Sequence, residues 1–229
     1  LGKLGFIDFA GSSVVHSVGG WVALAVLLII GNRTGRFQDG RKRTFQGSNT
    51  PLAALGALIL WFGWFGFNGG ANGAMDLRIP LILINTFLAA SAGLILSSIM
   101  GIYVMKKPEP MFMITGPIAG LVSITASCAY VDPTEAIVIG AIGGIVSGSG
   151  ILLLEKIKVD DVVSAVPVHL FAGTWATIAV ALFGDFEAMG IERSMIDQLY
   201  IQLIGIVSVG GFCFISAFTI FFMINFLFR

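Results

Sequence analysis

Two histidines are the residues in this sequence whose type and spacing best suggest chemistry. His16 and His169 are the only histidines, and each follows an aspartate, Asp8 or Asp161, by eight residues. Both stretches are otherwise apolar. Ionisable side chains are energetically costly in a segment that crosses a membrane, so such residues indicate a functional site. Because the pattern occurs twice, we predict that the two histidines act together.

The chemistry open to such a pair is the handling of a small polar solute. A desolvated imidazole favours its neutral form, in which one ring nitrogen donates a hydrogen bond and the other accepts one. Two rings that share a proton leave one donor and one acceptor free, which suits ammonia or water. A metal ion would need further ligands. Cys128 and Cys213 stand singly and are interpreted as buried hydrophobic residues, so we predict neither a metal nor a cofactor.

The composition is that of an integral membrane protein. Of the 229 residues, 56% are hydrophobic and 11% are charged, and the mean hydropathy is +0.94. A net charge of zero indicates no nucleic-acid partner. Because open sheet edges cannot be satisfied in lipid, we predict an all-α, polytopic helix bundle. Its seven apolar spans are approximately 8–31, 51–73, 80–104, 111–131, 135–154, 162–184 and 195–228.

The distribution of basic residues predicts an orientation. Ten of the thirteen fall on one side, which the positive-inside rule makes cytoplasmic; residue 1 is then external and the C-terminus cytoplasmic. The ten are Arg33, Arg36, Arg41, Lys42, Arg43, Lys106, Lys107, Lys156, Lys158 and Arg229. The two Asp-to-His segments therefore run antiparallel, as an inverted repeat requires. Eight helical residues rise about 12 Å and half the hydrocarbon core is about 15 Å, so we predict that the imidazoles meet near the midplane.

A block rich in aromatic residues, Trp61–Asn72, closes the second predicted span. It is interpreted either as an aromatic belt at the membrane interface or as a vestibule whose ring faces attract ammonium. Composition does not choose between them. A retinal protein needs a lysine in its last span, but all six lysines lie outside the predicted spans. No arrangement of residues suggests hydrolytic or redox chemistry, so we predict that the protein is not an enzyme.

Five segments spread over nearly the whole chain resemble, in order, the ammonium transporter / methylammonium permease / Rhesus family, and in particular its bacterial ammonium transporter branch. They are IDFAGSSVVHSVGG (Ile7–Gly20), WFGWFGFNGGAN (Trp61–Asn72), INTFLAASAG (Ile84–Gly93), GPIAGLVSITASCAYVDP (Gly116–Pro133) and VDDVVSAVPVHLFAGTWATIAVALF (Val159–Phe183). The resemblance implies an eleven-helix, inverted-repeat fold, of which residues 1–229 would hold about seven helices, numbers five to eleven. Because the first residue is leucine, we expect a fragment of a longer protein. The resemblance also implies a homotrimer.

The resemblance implies roles for individual residues. His16 and His169 correspond to the family's pair of pore histidines. Asp8 corresponds to the aspartate that supports recruitment and deprotonation of ammonium on the external side. Phe67 corresponds to one of two stacked phenylalanines that gate the pore. Trp64 corresponds to a tryptophan beside the histidine region, where pore lining and plain core packing are equally good interpretations.

Two departures from the family pattern bear on these roles. Ala71, expected to line the vestibule, stands where many members have a serine that hydrogen-bonds external ammonium. Val162 and Ser164 stand where relatives often have Pro and Gly or Asp, at the entrance to the His169 helix. External affinity and the cytoplasmic entrance are therefore the features in which this chain is expected to differ.

These observations predict transport of ammonium or ammonia across the cytoplasmic (inner) membrane through a hydrophobic pore, with the charge left at an external site. Methylammonium is a second candidate substrate. The alternative is an ammonium-sensing receptor on the same scaffold, joined through its C-terminus to a cytoplasmic signalling domain or acting on a regulatory protein. A gas channel for carbon dioxide, as proposed for Rhesus relatives, fits less well because the aromatic block resembles the bacterial branch.

Overall fold

The computed structural model describes residues 1–38, 41–45 and 47–228, and it shows a helix bundle. Its seven α-helices are α1 Val18–Ile30, α2 Thr50–Ala71, α3 Ile79–Met105, α4 Pro110–Ile124, α5 Pro133–Lys156, α6 Ala172–Phe183 and α7 Met195–Leu227. Two π-helical segments, Ser12–Ser17 and Val166–Phe171, run directly into α1 and α6. A 3-10 turn spans Gly2–Leu4, and two short strands, β1 Phe37–Gln38 and β2 Arg41–Lys42, pair antiparallel after α1.

Six helical segments of the described chain are long and apolar enough to cross a membrane. They are Ser12–Ile30, Thr50–Ala71, Ile79–Met105, Pro133–Lys156, Val166–Phe183 and Met195–Leu227. The protein is therefore a multi-pass, all-α membrane protein, as the hydropathy pattern predicts. The last helix has 33 residues, a length of about 50 Å against a hydrocarbon core of about 30 Å.

The predicted fourth span, 111–131, is wrong as a continuous helix. The helix ends at Ile124, and the following residues to Val131 form turns. Two carbonyl groups of these turns, those of Cys128 and Val131, accept hydrogen bonds from the buried side-chain amide of Asn85, at 3.0 and 2.7 Å. Irregular backbone is tolerated at membrane depth where the surrounding protein satisfies it. Hydropathy reports the apolar side chains of this segment but not these hydrogen bonds.

Helices α3, α4 and α5 form the tightest part of the core because glycines let their backbones touch. A Cβ atom added at Gly93 would lie 2.6 Å from the carbonyl oxygen of Gly116. One added at Gly144 would lie 2.5 Å from the carbonyl oxygen of Gly93. Small residues at such crossings allow the close van der Waals packing that holds helices together in lipid.

Two polar clusters at opposite ends of the bundle hold the histidine segments. At the Asp8 end, the fully buried Gln202 of α7 accepts a hydrogen bond from the amide of Ile7 at 3.0 Å and donates one to its carbonyl at 2.7 Å. At the Asp161 end, Arg33 donates two side-chain hydrogen bonds to Asp160, at 2.7 and 2.8 Å. Each cluster anchors the chain just before one of the two aspartates.

Several residues of the predicted cytoplasmic side meet at the Asp161 end. Arg36 donates to Glu155 at 2.8 Å and lies 3.5 Å from the carboxylate of Asp160. Together with Lys107 these residues line one pocket of about 380 Å³. The basic loops are thus gathered at one end, as the charge pattern predicts. Arg229, the last basic residue assigned to that side, lies outside the described residues.

Candidate functional site

The two aspartates of the repeated motif have the same local role. The Asp8 carboxylate accepts hydrogen bonds from the backbone N–H groups of residues 12–14, at 2.6 to 2.9 Å. The Asp161 carboxylate accepts them from Ala165 and Val166, at 3.0 and 2.8 Å. Each carboxylate therefore satisfies the free N–H groups that begin a helix. Burial raises the pKa of both carboxyl groups, and these N–H donors act in the opposite direction.

Both histidines lie in π-helical turns, which the sequence analysis did not predict. The amide of His16 donates to the carbonyl of Gly11, five residues earlier, at 3.0 Å. In the second segment the amide of Ala172 likewise donates to the carbonyl of Pro167. Single π-turns are rare and often occur at functional sites. Gly11, with a φ of +104°, and Pro167, which lacks an N–H, are the sequence signals that could have marked the two turns.

The structure brings the two imidazoles together. The ring centroids of His16 and His169 are 5.4 Å apart, and the ring planes differ by 20°. The His16 segment begins at Asp8 and ends beside Arg33, which contacts Asp160 at the start of the His169 segment. The two segments therefore enter from opposite ends of the bundle, and the predicted meeting of the rings is confirmed.

Two aromatic side chains of α2 pack against the imidazole of His16. The indole of Trp64 stacks on the imidazole at 4.8 Å between centroids, and the ring of Phe67 lies at 5.4 Å with a 40° tilt. The indole N–H of Trp64 donates to the hydroxyl of Thr125 at 2.9 Å. Trp64 is thus a buried core residue that also forms one wall of the site. Sequence reasoning missed Thr125, which lies in the turns that replace the end of the predicted fourth span.

A cavity of about 690 Å³ contains both histidines together with Trp64 and Phe67. The rest of its lining is almost entirely apolar: Ile59, Leu60, Gly63, Thr115, Ile118, Val163, Ala165 and Val168. The Nε2 atom of His16 is buried and has no hydrogen-bond partner among the described residues. A buried polar atom in an apolar cavity is best satisfied by a small solute with its own hydrogen-bonding groups.

The remaining predicted site residues lie outside the cavity lining. Asp8 acts on the site through the π-turn that it caps. Ala71, the last residue of α2, is exposed and lies one turn beyond Phe67. The aromatic block thus divides between the cavity, where Trp64 and Phe67 lie, and the outer surface, where the side chain of Phe62 is 78% exposed.

Within the described ranges, no three residues of the types His, Cys, Asp and Glu come close enough to hold a metal ion.

A pair of buried hydroxyls, those of Ser13 and Thr177, lies 2.6 Å apart behind the His16 turn. Sequence reasoning missed this pair because the two residues lie 164 positions apart and nothing in their type or spacing links them.

Comparison with known proteins places the chain in a family. The profile of the Ammonium Transporter Family matches residues 1–229. "Ammonium transporter Amt2" of Archaeoglobus fulgidus is 46% identical over 186 residues, which cover 80% of this chain and 40% of the relative. A putative ammonium transporter of Synechocystis is 43% identical over 222 residues, covering 95% of this chain and 40% of the relative.

Solved structures agree with this placement. A protein described as "Sensor Amt Protein" superimposes on the whole chain with a TM-score of 0.95 and 38% identity, and 57% of that protein is covered. Mep2 of Candida albicans gives a TM-score of 0.87 and 28% identity, covering 95% of this chain and 50% of Mep2. The chain spans roughly half the length of the relatives that it matches. It belongs to the ammonium transporter family.

Proposed function

We propose that this chain forms part of a path by which ammonium is taken across a membrane as neutral ammonia. The observation that carries the proposal is the stacked pair His16–His169 inside a largely apolar cavity. The unpaired Nε2 of His16 offers a hydrogen bond to a solute at the middle of the path. The names of the curated relatives, which state ammonium transport, support this substrate.

The chemistry follows from the cost of desolvating a charge. A cation within an apolar cavity is unfavourable by at least several kcal/mol, whereas ammonia is neutral and can both donate and accept hydrogen bonds. The proton is therefore removed from ammonium at the Asp8 end and crosses separately by way of the two imidazoles, so that transport carries a current. The Asp8 carboxylate supports recruitment and deprotonation of ammonium there, and Phe67 acts as a gate between that site and the histidines. Ala71 lines the vestibule without contributing a hydroxyl.

We propose that the chain forms helices five to eleven of an eleven-helix protomer. Three such protomers assemble as a homotrimer in the cytoplasmic membrane. The clustering of Arg33, Arg36 and Lys107 at the Asp161 end supports a cytoplasmic position for that end. Residue 1 is then external and the C-terminus cytoplasmic. Methylammonium, a slightly larger cation of the same chemistry, is a second candidate substrate.

The test is ammonium-evoked current from the full-length protein in proteoliposomes, measured against potassium under otherwise identical conditions. The wild-type protein should carry a current with ammonium and little with potassium. His16→Ala and His169→Ala should each abolish or strongly reduce this selectivity, because the cavity then loses its hydrogen-bonding groups. Phe212→Ala, on an exposed face of α7, serves as a matched control. Unchanged selectivity in both histidine variants would refute the role of the pair.

A second candidate function is ammonium sensing. It is favoured by the similarity of the entire chain to a structure described as a sensor, at 38% identity. In that case ammonium binds at the Asp8 end, where its charge is not desolvated in the apolar cavity, and a cytoplasmic signalling domain that follows the bundle responds. Saturable ammonium binding without current would favour the sensor, and a robust current would favour transport. The sequence of the full-length protein beyond residue 229 provides an independent check.

A further inference from the structure

Each histidine is followed four residues later by a glycine. The pairs are His16–Gly20 and His169–Gly173. Residues at i and i+4 lie on the same face of a helix, so each glycine faces the helix that carries the other histidine. Both glycines are buried.

Gly20 is in contact with the residue next to His169. A Cβ atom added at Gly20 would lie 2.5 Å from the backbone nitrogen of Leu170 and 2.8 Å from its Cα. These atoms belong to the backbone, so no side-chain rotation can make room for the extra carbon. A side chain at this position would have to move the His169 turn itself.

Gly173 makes the reciprocal contact. A Cβ atom added there would lie 2.7 Å from the carbonyl oxygen of Ser12 and 2.7 Å from the hydroxyl oxygen of Ser17. Ser17 is the residue next to His16, and Ser12 begins the same π-helical segment. Each glycine therefore touches the segment that positions the opposite imidazole.

We propose that Gly20 and Gly173 are positioning residues that set the separation of the two imidazoles and, through it, the preference of the cavity for ammonia over cations such as potassium. The inference concerns ammonium handling and so rests on the proposed function. Nonbonded carbon atoms lie about 3.5–4 Å apart. A methyl group at either position therefore moves the His16 and His169 segments apart by about 1 Å. The 5.4 Å separation of the two imidazole rings then increases, and the cavity becomes wider between them.

The neighbouring Gly19 supplies a matched control. It lies in the same turn of α1, and no atom of another segment lies within 4 Å of the position its Cβ would take. Glycine-to-alanine changes at positions 19 and 20 therefore alter helix propensity alike and differ only in contact with the His169 turn. Any difference between Gly19→Ala and Gly20→Ala reports that contact.

The first measurement is the ratio of ammonium to potassium permeability of the full-length protein in proteoliposomes. Gly20→Ala and Gly173→Ala should each lower the ratio by roughly tenfold, equivalent to a change of about 1.4 kcal/mol in discrimination. Gly19→Ala should leave the ratio within about twofold of the wild-type value. Equal ratios for Gly19→Ala and Gly20→Ala would overturn the proposal.

The second measurement reports the geometry without any flux. In a Cys128→Ala, Cys213→Ala background, the substitutions His16→Cys and His169→Cys introduce two thiols in place of the rings. Their intramolecular cross-linking by a short bifunctional thiol reagent is quantified by mass spectrometry. Adding Gly20→Ala should lower the yield at least threefold, while adding Gly19→Ala should not. An unchanged yield with Gly20→Ala overturns the positioning role.

The two measurements separate the possible failures. If wild-type protein shows no current or binding but Gly20→Ala still lowers the cross-link yield, the positioning role stands and the proposed function fails. If Gly20→Ala does not fold, the Gly173→Ala variant carries the same test. In the Gly173→Ala variant, adding Ser17→Ala removes one of the two close contacts of the new Cβ and should restore part of the cross-link yield. A double variant no better than Gly173→Ala would contradict the proposal.

Discussion

The indole of Trp64 and the imidazole of His16 form a stacked pair, with centroids 4.8 Å apart and planes 17° apart. The imidazole of His169 also stacks on that of His16, with centroids 5.4 Å apart and planes 20° apart. His16 thus stacks on two rings, those of Trp64 and His169, and the Trp64 ring is itself fixed by a hydrogen bond to Thr125. A stacked, hydrogen-bonded aromatic neighbour limits rotation of the imidazole ring.

Removing the Trp64 ring should therefore affect both stability and selectivity. Trp64→Ala is expected to lower the free energy of unfolding by about 3 kcal/mol, because it leaves a large buried cavity. It should also reduce the preference for ammonium over potassium. Thr125→Val, which removes the hydroxyl that accepts a hydrogen bond from Trp64 and donates one to the carbonyl of Leu121, should cost about 1–2 kcal/mol. Unfolding in detergent and proteoliposome currents measure the two effects, and a selective Trp64→Ala protein would contradict the stacking role.

The two capping aspartates should differ in function although they share a structural role. Asp8→Ala and Asp161→Ala should each destabilise the protein by about 1 kcal/mol through loss of a cap. Asp8→Ala should reduce ammonium current more than Asp161→Ala, because Asp8 is proposed to support recruitment of the cation. Asp132→Ala removes a capping box at α5 and provides a control that should lower stability with little effect on current. Equal currents in the Asp8 and Asp161 variants would contradict this ranking.

Ser164 has an unfavourable backbone conformation at the start of the His169 segment. Its φ is +58°, a left-handed value that costs a non-glycine residue roughly 1–2 kcal/mol. Ser164→Gly should therefore raise the thermal unfolding temperature, and Ser164→Val should lower it. Ala165→Gly, at a residue with an ordinary φ of −60°, should be destabilising. A Ser164→Gly protein less stable than the wild type would show that side-chain contacts of Ser164 outweigh the strain.

The Arg33–Asp160 pair should make stability depend on acid pH. The hydrogen bond from the Arg33 guanidinium holds the pKa of the Asp160 carboxyl below its ordinary value. The stabilisation is therefore complete above the unfolded-state pKa of about 3.9 and is lost as the pH falls through the lowered folded-state value.

Thermal unfolding of wild type and Asp160→Asn between pH 7 and pH 2 tests this dependence. The variant should unfold at a lower temperature from pH 7 to about pH 4, and the difference should shrink at lower pH. Asp76→Asn changes a carboxylate paired at the protein surface and should have little effect at any pH. A difference between wild type and Asp160→Asn that persists unchanged to pH 2 would argue against the pair as its source.

Several features of this protein could be predicted from the sequence because they depend on residues close together in the chain. The apolar runs predict the membrane-spanning helices, and the Asp-to-His spacing together with the basic loops predicts that His16 meets His169. The segments that resemble the family point to the same pair. These are properties of local pattern, which hydropathy and helix rise express directly.

Other features were decided only by the tertiary structure, because they depend on atoms from distant parts of the chain. The early end of α4 requires the side-chain amide of Asn85, more than forty residues away in sequence. The placement of Trp64 requires Thr125, and the π-turn at His16 is held against Val122 by the hydroxyl of Ser12. No residue in these pairs identifies its partner by type or spacing. The sequence by itself determined which helices form and which histidines meet, whereas close packing between distant segments determined how their rings are held.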